Sequence, residues 1–135
     1  MKIKKLAVCV AATALALVAL AAPLSAVQLT DQNKQFLSAY DKVHRALVAD
    51  DFAGAKKAAA DLGPSGAELA NSKSLDEARS AFSKMSAEAE KLAAGQPGYY
   101  VMHCPMKKKD WVQTSAKVEN PYGGKEMLTC GEVKK

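Results

Sequence analysis

No Cys-x-x-Cys pair occurs in the chain, and that absence excludes thiol–disulfide exchange of the thioredoxin type, c-type haem attachment and the usual structural zinc site. Histidine is scarce, with two in the whole sequence. No Ser/His/Asp or Cys/His set with an orienting third group can be assembled, which excludes the familiar nucleophilic hydrolases. A glycine-rich phosphate loop is also missing, and with it the common nucleotide-binding folds. The carboxylates fall where helix caps and solvated faces need them. The chain is therefore expected not to be an enzyme.

Basic charge is less abundant than the whole-chain net of +5 implies. Lys2, Lys4 and Lys5 precede an apolar run from Leu6 to about Ala22, followed by Pro23-Leu24-Ser25-Ala26. That order is the pattern of a secretory signal peptide cut after Ala26. A membrane anchor is the rival, since the run is nearly long enough to span, but the proline and the small residues favour cleavage. Cys9, in Leu6-Ala7-Val8-Cys9, precedes the apolar core where a lipoprotein box would follow it. Three of the nineteen basic residues leave with the leader, so sixteen stand against fourteen acidic ones, a net of +2. Nucleic-acid binding thereby loses its main support. Lys107-Lys108-Lys109 reads as a solvated turn. The expected location is the periplasm, with no membrane association once the leader is removed.

The remaining residues suffice for one domain with a modest core. Residues 27–98 are expected to form its helical part and residues 99–135 a cap packed on it. Phe36, Leu37, Tyr40, Val43, Leu47 and Val48 recur at three-to-four spacing, predicting a helix from Thr30 to about Ala49 with Thr30 or Asp31 as its cap. His44 lies beside that stripe and reads as a partly exposed surface residue. Asp50-Asp51 can cap a second helix that stops at Gly63-Pro64. A short helical turn over Gly66–Asn71 follows. Ser74-Leu75-Asp76-Glu77 has the form of a capping box for a third long helix, ending at Gly95. After Gly98, Tyr99–Met102 and Trp111–Thr114 read as short β-like runs. Asn120–Gly124 is a dense turn signal, and Met127–Cys130 is expected to be extended. The predicted fold is mainly α: a three- to four-helix antiparallel bundle with a small C-terminal cap, irregular or β-containing.

Sulfur is concentrated in that cap. Met102-His103-Cys104-Pro105-Met106, Trp111 and Met127-Leu128-Thr129-Cys130-Gly131 hold every sulfur after the leader except Met85. Thiolates and thioethers are soft donors that favour Cu(I), with Ag(I) chemically close. Cys104 and Met106 can converge through a bend at Pro105, and Met127 and Cys130 through a tight turn. His103 ranks lower, because neighbours on a strand point to opposite faces. The candidate metal ligands are thus Cys104, Met106, Met127, Cys130 and, last, His103, with Trp111 able to wall the site from water. The competing reading is a disulfide between Cys104 and Cys130, the default for an even pair in an exported protein. It would staple a helical interaction module that holds no metal.

Cys104-Pro-Met106, Trp111-Val-Gln113, Asn120-Pro-Tyr-Gly-Gly124 and Met127-Leu-Thr-Cys130-Gly131-Glu-Val133 resemble a family of small exported bacterial domains of unassigned function. Tyr40 through Ala46-Leu47-Val48-Ala49-Asp50-Asp51 to Ala55 resembles the family's helical half. Members occur alone or fused to periplasmic adaptor subunits of copper and silver efflux systems. The charged Lys107–Asp110 stretch departs from the more glycine-rich connection expected there. The resemblance implies copper handling, a metal site on Cys104, Met106, Met127 and Cys130, and a periplasmic efflux or metalloprotein-assembly component as partner.

Overall fold

The computed structural model describes residues 28–134; the expected leader lies outside them. Four α-helices are followed by a small antiparallel sheet, so the fold is mainly α with a minor β region. Helix α1 spans Asp31–Val48, α2 Phe52–Ala60, α3 Ala67–Ala70 and α4 Leu75–Ala93, with a 3₁₀ turn at Gly63–Gly66 before α3. Strand β1 is Tyr100–Cys104, β2 Lys109–Gln113 and β3 Glu132–Val133, in the spatial order β2-β1-β3.

The long helices begin where local chemistry satisfies their first amides. Thr30 Oγ1 accepts from the Asn33 N–H at 3.2 Å, Asp51 Oδ1 from Gly54 at 2.8 Å, and Ser74 Oγ from Glu77 at 3.1 Å. The Glu77 carboxylate reaches back one residue further than a standard capping box and accepts from the Lys73 N–H at 2.8 Å. Leu37, Tyr40, Val43 and Leu47 are the buried stripe of α1; Ala78, Phe82, Met85 and Ala89 are that of α4. The alanines permit the close approach of α1, α2 and α4.

Helices and sheet share one apolar cluster. Phe82 stacks on Tyr40 with ring centroids 4.6 Å apart and meets Tyr122 at 5.9 Å, while Trp111 meets Tyr122 edge-on at 6.0 Å. Arg79 on α4 ties the periphery: Nε donates to the Pro121 carbonyl at 3.0 Å and Nη2 pairs with Asp50 at 2.5 Å.

Two expectations are corrected. His44 is 1% exposed, because α1 turns it toward the 114–119 loop, where it bonds the Glu119 carbonyl at 2.7 Å. Met127–Cys130 is not extended: a 3₁₀ turn over Gly124–Met127 leads into a second turn closed by the Cys130 N–H donating to the Met127 carbonyl at 2.9 Å. Among the described residues, no helix is long and apolar enough to cross a membrane.

Candidate functional site: a free thiol pair

Strand β1 delivers Cys104. Its register against β2 runs from Tyr100↔Gln113 to Cys104↔Lys109, and alternation puts Met102 and Cys104 on one face and His103 on the other. Pro105–Lys108 then reverses the chain, with Lys108 in the left-handed region at φ 51°. The reversal aims the Lys107 N–H at Cys104 Sγ, 3.4 Å away. The Met106 N–H also donates toward both cysteine sulfurs.

Cys130 comes from the opposite direction and is held by Asn120. That side chain is fully buried; its Nδ2 donates to the Cys130 carbonyl at 2.6 Å and its Oδ1 accepts from the Tyr122 N–H at 2.8 Å. The Asn120 N–H donates to the Leu128 carbonyl at 2.8 Å, so the turn and the Cys130 segment are bonded twice. Beyond Cys130 the chain grazes Trp111 at Gly131, where a Cβ would stand 2.7 Å from the indole. Strand β3 then joins the free edge of β1, pairing Met102 with Val133 and His103 with Glu132.

Between these two fixings, Cys104 Sγ and Cys130 Sγ lie 3.2 Å apart, and both cysteines are free. The expected staple is thus not what closes this 26-residue loop; the Asn120 bonds and the β1–β3 pairing close it. Burial works against a Cys104 thiolate, but the Lys107 N–H, the Cys130 thiol, the Asn120 side chain and the Met106 N–H outweigh it and lower its pKa. Hydrogen bonding to Cys104, with burial beside it, raises the pKa of Cys130. The charge is therefore favoured on Cys104 and the proton on Cys130.

The other candidate ligands are placed differently. Met106 is 75% exposed at the hairpin tip. Met127 is half-buried and lies over Gly123, where a Cβ would come within 2.3 Å of its own. His103 is not brought to the sulfurs: on the far face its Nδ1 meets Asp110 Oδ1 at 2.5 Å. Lys134 Nζ contacts the other Asp110 oxygen at 2.6 Å. Burial opposes the Asp110 carboxylate, yet Lys134 and His103 together hold its pKa below the ordinary range. Met102 and Trp111 are wholly buried, the indole lying against Gly131, the residue after Cys130. Among the described residues, no group of three or more His, Cys, Asp and Glu side chains could hold a metal ion. Of the five candidate ligands, Cys104 and Cys130 are the two whose side-chain sulfurs are placed against each other.

Sequence reading missed Asn120 as the part that positions Cys130, because its residue type and neighbours signal only a turn. It also missed Gln113, which is 1% exposed. That amide accepts from Trp111 Nε1 at 2.8 Å and from the Glu119 N–H at 3.1 Å, and donates to the Ser115 and Lys117 carbonyls at 2.5 and 2.6 Å. Comparison with known protein families, curated proteins and solved structures finds no match to this chain.

Proposed function

We propose that the protein is an exported Cu(I)-binding protein, a chaperone or buffer for copper or heavy-metal efflux or homeostasis, with Cys104 and Cys130 as its principal donors. The observation that carries this reading is the free thiol pair at 3.2 Å with its charge favoured on Cys104. Two soft sulfurs without a histidine–carboxylate group suit a d10 ion of low coordination number better than Zn(II), whose structural sites use four donors. The Lys107 and Met106 N–H groups stabilise negative sulfur, and Trp111, packed against Gly131 beside Cys130, would shield the donors on that side. Met106 and Met127 are the exchangeable thioethers of this scheme, and His103 the weakest candidate. Ag(I) would use the same donors.

The resemblance to efflux-associated exported domains supports the same assignment. It suggests a periplasmic efflux or metalloprotein-assembly component as the partner, with the helical half as an antiparallel bundle supporting the site.

A Cu(I) titration of the reduced mature chain, against a chromophoric chelator and without oxygen, tests this. Tight one-to-one binding is expected. Cys104→Ser or Cys130→Ser should each weaken it at least about a hundredfold, about 2.7 kcal/mol, and Met106→Leu by less. Undiminished affinity in both serine variants would overturn the assignment.

A further inference from the structure

We propose that Cys104 and Cys130 form a thiol–disulfide exchange couple in which Cys130 meets an external disulfide and Cys104 completes the exchange. The absence of a Cys-x-x-Cys motif argues against this only along the chain. In space the two sulfurs are 3.2 Å apart although 26 residues separate them. Their access differs: Cys104 has no exposed surface, whereas Cys130 is half-buried and follows the exposed Thr129. An external disulfide can therefore reach only Cys130.

The loop is closed independently of any S–S bond, by the Asn120 contacts to Cys130 and Leu128 and by the β1–β3 pairing. Bond formation then needs a short movement of two side chains and leaves the strands where they are. Lys107 and Lys108, exposed on the β1–β2 turn, favour an anionic partner such as the glutathione disulfide.

The chemistry balances in two steps. Cys130 passes its proton to the Cys104 sulfur 3.2 Å away and, now a thiolate, attacks one sulfur of the external disulfide; a mixed disulfide forms, the external S–S bond breaks, and its other sulfur leaves as a thiolate. Cys104, as thiolate, then attacks the Cys130 sulfur. The internal disulfide forms, the mixed one breaks, and the second thiolate leaves and takes the Cys104 proton. Two electrons pass from the protein to the external disulfide, and an external thiol attacking Cys130 reverses the sequence. Oxidation would occupy both sulfurs, so it would also block the metal site proposed above, although the exchange itself does not depend on metal binding.

The test treats the reduced, chelator-washed mature chain with oxidised glutathione under argon and follows mass. The wild type should end two hydrogens lighter with no glutathione retained. Cys104→Ser should accumulate one glutathione on Cys130, and Cys130→Ser should react at least about tenfold more slowly. Brief alkylation of the unaltered reduced protein, mapped by peptide, should label Cys130 ahead of Cys104, which checks the order of access without a variant. Retained glutathione on the wild type, equal rates in the two variants, or earlier labelling of Cys104 would overturn the proposal. None of those results would alter the outcome of the Cu(I) titration.

Discussion

His44 donates through Nε2–H to the Glu119 carbonyl, while its buried Nδ1 has no hydrogen-bond partner. Burial lowers its pKa, against the opposing pull of the Glu119 contact and of Asp41. A base whose pKa is depressed by folding binds protons more readily when unfolded. Its contribution to stability is complete above the unfolded value of about 6.5 and is lost as pH falls through that value toward the folded one. Denaturant midpoints should therefore decline between pH 7.5 and 5. His44→Gln, which keeps a donor for Glu119, should flatten that slope; an unchanged slope would remove His44 as the cause. Asp110 has the opposite chemistry in a separate window. Its depressed carboxylate pKa contributes stability that begins to fail only as pH drops through the ordinary carboxylate range, about 4.

Asn120 acts between elements, holding the segment that carries Cys130 against the turn that ends at Tyr122. Asn120→Ala would leave the Cys130 carbonyl and the Tyr122 N–H without these partners, a loss of about 2–4 kcal/mol. Thermal melts should show it, and alkylation of Cys104 should accelerate as the thiols separate; an unchanged melting temperature would show that the clamp is not needed. The parts of the fold legible in the sequence are those fixed by neighbours in the chain. Thr30, Asp51 and Ser74 mark helix starts through bonds three residues away, whereas α2 ends at Ala60, ahead of the expected Gly63-Pro64 stop, which instead opens the 3₁₀ turn. β1 and β2 are near where Tyr99–Met102 and Trp111–Thr114 predicted them. Strand β3 was not legible: Glu132 and Val133 are both exposed, carry no alternating pattern, and are a strand only because β1 offers an edge. The site was legible to the same degree. Cys104 and Cys130 could be named as a pair from composition. That Met106 ends in solvent and His103 on Asp110 follows from turn geometry and strand parity.

At the scale of the whole molecule, a chain of buried hydroxyls couples the helices to the sheet that carries the thiols. The Val112 N–H donates to Tyr40 Oη at 3.1 Å, Tyr40 contacts Ser86 at 2.6 Å, Ser86 contacts Tyr122 at 3.1 Å, and Tyr122 donates to the Asp110 carbonyl at 2.6 Å. It starts and ends on β2 and passes through α1, α4 and the 120 turn, so each link depends on the placement of the others. Burial raises the pKa of both tyrosines, so both remain protonated donors at any physiological pH. Ser86→Ala removes the middle link, so the buried Tyr40 hydroxyl keeps only the Val112 N–H and Tyr122 only the Asp110 carbonyl. Stability should fall by about 1–3 kcal/mol. If the chain acts as one unit, Tyr122→Phe added to Ser86→Ala should cost less than the sum of the two single changes. Both variants should also expose Cys104 to alkylation sooner than the wild type, because the hydroxyl chain fixes β2, and β2 fixes the register of β1. Strict additivity together with unchanged Cys104 labelling would mean that the sheet holds its thiol in place without help from the helices.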